Sequence, residues 1–115
     1  MRKTNLTPPS LKISEFEDNS LLIVDDDDPF RERLGRAMEK KGFTVSTSKT
    51  TENAINLVKT KAPQFAVVDL RLDDGNGIDV VKEIKTTGKD SRIVMLTGYG
   101  NLPTAVAAIK AGAID

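Results

Sequence analysis

Three short apolar segments constrain the fold most, because each one runs directly into side chains that carry chemistry. They are LLIV (21–24) before Asp25 and Asp26, FAVV (65–68) before Asp69, and IVML (93–96) before Thr97. Short continuous apolar runs indicate strands that are buried on both faces. The segments between them repeat apolar residues at spacings of three and four, which is typical of amphipathic helices. This alternation predicts an α/β fold, a doubly wound parallel sheet with helices on both faces.

Local signals place the helices and the remaining strand. Asp28 as the N-cap and Pro29 as the first helical residue predict the start of a helix that Gly42 ends. The more polar FTVSTS (43–48) predicts an edge strand. Two further helices are predicted at 51–61 and from 78 to about 88, and Pro103 opens a fourth. Their expected inward residues are Ala54, Leu57 and Val58 in the first, and Ile78, Val81 and Ile84 in the second. The polar residues 1–19 are expected to form a flexible lead-in to a domain at 20–115.

The composition excludes several kinds of chemistry. The chain of 115 residues has no cysteine and no histidine, which rules out disulfides, zinc-thiolate sites and His-based acid–base catalysis. Lys plus Arg and Asp plus Glu both number 17, so no net field attracts nucleic acid or an anionic membrane. No apolar run is long enough to span a membrane, and the first residues, MRKTNLTPPSLK, contain no apolar h-region, so we expect no signal peptide. We therefore expect a cytoplasmic protein whose chemistry depends on carboxylates, hydroxyls and lysines.

The predicted topology brings the acids together. Ligands of an open parallel sheet bind beyond the carboxyl ends of its strands. If 21–25 and 65–69 are neighbouring strands, then Asp25, Asp26 and Asp69 meet there and repel one another unless a cation joins them. Oxygen ligands favour Mg²⁺. Each feature also has a purely structural explanation. Residues 25–28 could be a solvated turn with a helix cap, Asp69 could be a turn residue at the end of a strand, and Thr97 could have a structural role. Their common position at the ends of successive strands favours the functional interpretation.

Three motifs carry a family resemblance. IVDDDDPF (23–30), AVVDLRLDDGNG (66–77) and VMLTGYGN (94–101) resemble the receiver domains of two-component response regulators, over residues 20–115. Longer segments around these motifs, LLIVDDDDPF (21–30), FAVVDLRLDDGNGIDVV (65–81) and IVMLTGYGN (93–101), most resemble the redox-responding global regulators of alphaproteobacteria, of the RegA, ActR and PrrA type. The resemblance implies a flavodoxin-like sheet with strand order 2-1-3-4-5.

The resemblance also implies a role for individual residues. Asp69 is the expected phosphoacceptor, and Thr97 is the expected switch hydroxyl that bonds a phosphoryl oxygen. The implied Mg²⁺ ligands are Asp26 and Asp69 directly, Asp25 mainly through water, and the backbone carbonyl of Arg71. The side chains of Arg71 and Tyr99 are expected to flank the phosphoryl group.

The implied partner is a sensor histidine kinase that donates the phosphoryl group. We expect no enzyme activity beyond the chain's own phosphorylation and dephosphorylation, no membrane contact and no direct DNA binding. Control of transcription would belong to a further domain of a longer parent. The family continues past the position of Asp115 with a last strand, an essential lysine and a final helix. We therefore expect a C-terminally truncated fold that self-associates, as a homodimer or larger, through the open edge strand at 92–97, or that is only marginally stable.

Three alternative functions are weaker. The chain could bind a kinase or another partner without switching, and detection of stoichiometric phosphorylation would separate that case from the main one. An aspartate-nucleophile phosphatase usually has a second Asp where this chain has Arg71. A flavin-binding module of the same strand order is disfavoured because the acidic loop at 25–28 would repel the cofactor phosphate.

Overall fold

The computed structural model describes residues 18–72, 75–88 and 90–96. Most of the expected N-terminal lead-in, the loop that holds Thr97 and Tyr99, and the fourth helix lie outside these residues. The elements in chain order are β1 (Ser20–Val24), α1 (Asp28–Lys40), β2 (Thr44–Ser48), α2 (Thr51–Thr60), β3 (Phe65–Asp69), β4 (Arg71–Leu72), β5 (Gly75–Asn76), α3 (Gly77–Thr87) and β6 (Arg92–Leu96).

Four parallel strands form the main sheet in the order β2-β1-β3-β6. This confirms the α/β class and the parallel sheet that the apolar segments predict. The polar β2 lies at one edge, as expected, and β1 and β3 are central. Within the described part of the chain, β6 is the outermost strand on the other side, and its Met95 side chain is 54% exposed. The antiparallel pair β4–β5 forms a separate two-stranded sheet directly after β3.

Side chains of the central strands alternate between two apolar clusters, one on each face of the sheet. Leu21 and Ile23 of β1 pack on the face that α1 covers. Leu22 and Val24 pack on the face that α2 and α3 cover. Burying one such side chain fully contributes about 1.5–3 kcal/mol. The two central strands are therefore held from both sides up to the residues at which they end.

The first helix begins one residue earlier than the sequence suggested. Asp27, and not Asp28, is the N-cap, because its Oδ1 accepts the Phe30 amide at 3.1 Å. Asp28 is instead the first helical residue and forms an ion pair with Arg31 at 2.6 Å. At the other end, Gly42 has a φ of 104°, a left-handed conformation that glycine adopts without steric strain. This is consistent with its predicted place at the end of the helix.

Two of the expected inward residues are at the surface. Leu57 is 36% exposed and Ile78 is 41% exposed, so the prediction was wrong for both. Residues on a helix are about 100° apart. The buried stripe of α2 is centred near Ala54 and Val58, and that of α3 near Val80 and Ile84, which leaves Leu57 and Ile78 outside the stripes.

Asp18 and Asn19 are attached to the domain. The Asn19 side chain donates to the Gly42 carbonyl at 2.7 Å, and the Asn19 carbonyl accepts the Thr44 amide at 3.1 Å. The Ser20 amide donates to Asp18 at 3.0 Å. These bonds fix the chain just before β1, whereas the expected flexibility of residues 1–17 stays a prediction. Among the described helices, none has the length and apolar character needed to cross a membrane.

Candidate functional site

Three carboxylates meet at the carboxyl ends of β1 and β3. These strands are neighbours and pair Val24 with Val68, so the acids that follow emerge at the same edge of the sheet. Asp25, Asp26 and Asp69 each offer one oxygen, and these oxygens all lie within 4.8 Å of one another. Asp25 and Asp69 are each only 6% exposed, and Asp26 is partly buried. The meeting of these side chains follows the expectation from the sequence.

Backbone amides hold the two buried acids in place. Oδ1 of Asp25 accepts the Asp27 amide at 2.9 Å, and Oδ1 of Asp69 accepts the Arg71 amide at 3.0 Å. Both bonds join a side chain to the amide two residues later, which is the turn that aspartate favours. The main chain is held as well, because the Asp25 amide donates to the Ser48 carbonyl at 3.0 Å. Each carboxylate therefore has a fixed direction.

The electrostatics of the site oppose the ionised state. Burial raises the pKa of Asp25 to about 6, and the neighbouring charges of Asp69, Asp26 and Asp27 add to that rise, against the bond from the Asp27 amide. Burial also raises the pKa of Asp69, and the charge of Asp26 acts in the same direction, while the amide and charge of Arg71 lower it. Crowded carboxylates become harder to ionise because their charges repel. The cluster would gain from a bound cation.

The donor set suits a hard divalent cation. All three side chains offer carboxylate oxygen, and the chain contains no cysteine or histidine that would select a softer metal. The oxygens are close enough to share one ion, and burial together with the neighbouring negative charges raises the pKa of Asp25 and of Asp69, a cost of ionisation that such an ion would offset. The residues present therefore fit a metal of the Mg²⁺ or Ca²⁺ kind.

Of the other predicted site residues, the structure describes Arg71 but not Thr97 or Tyr99. Arg71 follows β3 in the short strand β4, opposite Asn76, with its side chain exposed. Its amide contributes to the site through the bond to Asp69, whereas the role of its carbonyl stays a prediction. Thr97 and Tyr99 lie outside the described residues.

Gly77 is a structural determinant of the site that the sequence analysis did not identify. A Cβ at this position would lie 2.2 Å from the carbonyl oxygen of Asp69 and 2.9 Å from the Cα of Leu70. The Gly77 amide donates to the Leu70 carbonyl at 3.2 Å, and Asn76 caps α3 by accepting the Ile78 amide at 2.8 Å. The start of α3 is thus packed against the backbone that carries Asp69. The sequence DDGNG (73–77) is rich in residues that form turns and was a signal for such a close approach, although it does not reveal what Gly77 contacts.

Known proteins are similar to this chain in sequence. The profile of the response regulator receiver domain matches residues 21–115. The chain is 53% identical over 98 residues to the photosynthetic apparatus regulatory protein RegA of Cereibacter sphaeroides, covering 85% of this chain and 53% of that protein. It is 52% identical to the acid tolerance regulatory protein ActR of Rhizobium meliloti, covering 85% and 50% respectively. The chain therefore spans about half the length of these curated relatives.

A solved structure is similar in fold and in sequence. A response regulator protein from Burkholderia pseudomallei, crystallised with a phosphorylated aspartic acid, calcium ion and citrate, superposes with a TM-score of 0.67 at 33% identity. The match covers 83% of this chain and 56% of that one. The family profile spans all six of the strands and the three helices described above except the first residue of β1. The chain belongs to the response regulator receiver domain family.

Proposed function

We propose that this chain accepts a phosphoryl group on Asp69 from a sensor histidine kinase, with Mg²⁺ as the cofactor. The observation that carries the proposal is the meeting of three carboxylates on two neighbouring strand ends. We assign direct Mg²⁺ bonds to Asp26 and Asp69, a mainly water-mediated contact to Asp25, and a further bond to the backbone carbonyl of Arg71. The ion, when bound, would offset the negative charge that gathers on the phosphoryl oxygens.

The transfer step requires Asp69 as an ionised nucleophile. An oxygen of its carboxylate attacks phosphorus, the phosphorus–nitrogen bond of the kinase phosphohistidine breaks, and its electron pair goes to the imidazole nitrogen. The product is an aspartyl phosphate. The Arg71 amide holds the carboxylate at 3.0 Å through Oδ1, so the nucleophile does not have to be oriented during the step. Asp25 and Asp26 would help to hold a cation at the site, and a bound cation would favour the ionised form of Asp69.

Hydrolysis returns the chain to its starting state. A water molecule attacks the phosphorus of the aspartyl phosphate, and the bond to the Asp69 oxygen breaks. The phosphorylation of Asp69, from the kinase or from a small phosphodonor, and this hydrolysis are the only reactions that we assign to the chain. We propose that Arg71 and Tyr99 hinder the water and that Thr97 bonds a phosphoryl oxygen to switch conformation. The likeness to a regulator solved with a phosphorylated aspartic acid supports this cycle.

The output belongs to a longer protein in this proposal. The relatives that bear the names of regulatory proteins are about twice as long as the matched region. We propose that the conformational change controls transcription through a domain outside this chain, and that this segment does not contact DNA itself. The cytoplasmic location and the self-association expected from the sequence stay predictions.

Phosphorylation by a small donor tests the proposal. The chain is incubated with acetyl phosphate and Mg²⁺, and intact mass and peptide mapping report the modification. We expect one phosphoryl group on Asp69, no label in Asp69→Asn, and no label after chelation of the metal. Asp79→Asn, which removes an exposed acid in the first turn of α3, serves as the matched control and should be labelled normally. A labelled Asp69→Asn variant, or a folded wild type that takes no label, would overturn the assignment.

A further inference from the structure

Arg31 joins the two ends of the acidic turn between β1 and α1. Its Nη1 donates to the backbone carbonyl of Asp25 at 2.8 Å, and its Nη2 bonds the carboxylate of Asp28 at 2.6 Å. The Arg31 side chain is 12% exposed, whereas that of Asp28 is 59% exposed. An arginine this well covered, with two nitrogens bonded, is held in one geometry and is not a solvated surface charge.

The carbonyl that Arg31 holds has a particular place in the site. It belongs to the peptide group that connects Asp25 to Asp26, the two acids that β1 contributes to the cluster. The orientation of this peptide sets the direction in which the Asp26 side chain leaves the main chain. On the other side of the turn, the Asp27 cap and the bond from the Arg31 amide to the Asp27 carbonyl at 2.9 Å fix the start of α1. Arg31 thus connects the start of α1 to the Asp25–Asp26 peptide.

We propose that Arg31 is a positioning residue for the divalent cation, which it serves by holding the Asp25–Asp26 peptide so that both carboxylates face Asp69. The residue does not touch the ion in this proposal. It acts through the 2.8 Å bond to the Asp25 carbonyl, in the way that outer groups orient the ligands of metal sites.

Positioning and charge make opposite predictions for the removal of Arg31. The guanidinium is a positive charge close to the acidic cluster, so its loss would strengthen the binding of a cation if charge alone mattered. If Arg31 positions the ligands, its loss weakens binding despite the more negative site. Loss of an outer group that orients ligands typically lowers metal affinity about 10–100-fold. The sign of the change in affinity therefore separates the two roles.

The inference rests on the proposed function, because it assumes a divalent cation at the carboxylates. The test titrates the folded wild type and the Arg31→Gln variant with Mg²⁺ alone and follows the backbone amide shifts of the acidic turn by NMR. We expect Arg31→Gln to bind Mg²⁺ about tenfold more weakly. Arg33→Gln is the matched control, since it makes the same charge change on an exposed position of α1, and it should bind as the wild type does or slightly more tightly.

Each outcome has a defined consequence. Equal or tighter binding by Arg31→Gln, or equal weakening in Arg31→Gln and Arg33→Gln, would overturn the positioning role and leave the proposed function intact. If Arg31→Gln does not fold, Arg31→Lys decides, because one ammonium nitrogen keeps the charge but cannot reproduce the fork that joins two acceptors. Weaker binding by folded Arg31→Lys supports the role, and wild-type affinity refutes it. A folded wild type whose amide shifts do not change with Mg²⁺ would refute the proposed function itself.

Discussion

Replacement of Asp25 by asparagine should stabilise the metal-free chain at neutral and alkaline pH. Asp25 is 6% exposed, and its pKa is raised from 3.8 to about 6, first by burial and then by the charges of Asp69 and Asp26. Asparagine has nearly the same shape and can still accept the Asp27 amide through Oδ1. It removes the buried charge, and its NH₂ group can donate a hydrogen bond to a neighbouring carboxylate.

The magnitude follows from the difference between the folded and unfolded pKa. The raised folded-state pKa stabilises the fold fully below pH 3.8, and this contribution is lost as the pH rises through about 6. At about 1.4 kcal/mol per pKa unit, a rise from 3.8 to about 6 corresponds to about 3 kcal/mol. Burial of the new amide group offsets part of this gain. We therefore expect Asp25→Asn to be about 1–3 kcal/mol more stable than the wild type at pH 8, and the difference to disappear near pH 4.

Urea unfolding across this pH range measures the effect. Circular dichroism gives the free energy of unfolding of the wild type and of Asp25→Asn, each with a chelator and with Mg²⁺. Binding to the folded state stabilises by mass action, so Mg²⁺ should raise the stability of the wild type more than that of the variant. Asp28→Asn is the matched control from the same acidic turn. Its carboxylate is exposed and its pKa is lowered by the bond from Arg31, so its replacement should not stabilise the chain at pH 8.

Either of two results would refute the reasoning about the buried charge of Asp25. The first is an Asp25→Asn variant that is less stable than the wild type at pH 8 without metal. The second is a difference in stability that does not change between pH 4 and pH 8. Either finding would mean that the carboxylates are already compensated in the metal-free chain.

Three further predictions address other parts of the structure. Gly77→Ala should destabilise the fold by about 1–3 kcal/mol in urea unfolding and slow the labelling of Asp69, because the new Cβ meets backbone atoms that cannot move aside. Double replacement of Arg71 and Tyr99 by alanine should shorten the lifetime of the aspartyl phosphate in a phosphate-release assay, and an unchanged lifetime would contradict the proposed shielding. Met95→Lys should reduce any self-association seen by light scattering, because this exposed side chain lies on the outermost described strand; association that persists unchanged would locate the contact elsewhere.

The sequence predicted the framework of the site well. Apolar runs with a polar residue at the end identify both a buried strand and the edge of the sheet where it stops. This is why Asp25, Asp26 and Asp69 could be grouped before any contact was known. The parallel arrangement followed from the alternation of strands and helices, and the polar character of β2 was enough to place it at an edge.

Other features depend on distances that a linear pattern does not contain. Asp27 and Asp28 can both cap a helix, and only the contacts distinguish them: Asp27 accepts the Phe30 amide, while Asp28 pairs with Arg31. The periodicity of α2 allowed Leu57 to face inward, but the angle at which the helix lies on the sheet decides which side of the stripe is covered. The contact between Gly77 and the backbone of Asp69 arises only when α3 folds back against the end of β3.

The alternation of β1 and β3 between two apolar clusters has a mechanical consequence. A slip of either strand by one residue would exchange the faces of all its side chains and disrupt the packing of both clusters, which opposes sliding of these strands in response to a new charge. The carboxylates of Asp25 and Asp69 stand at the ends of two strands that are packed on both faces. Any relaxation around a phosphorylated Asp69 must therefore fall on the segments that follow the strands, which include the turn at 26–27 and the hairpin that begins at Arg71. A stiff support of this kind turns a local charge into movement of loops and leaves the sheet unchanged.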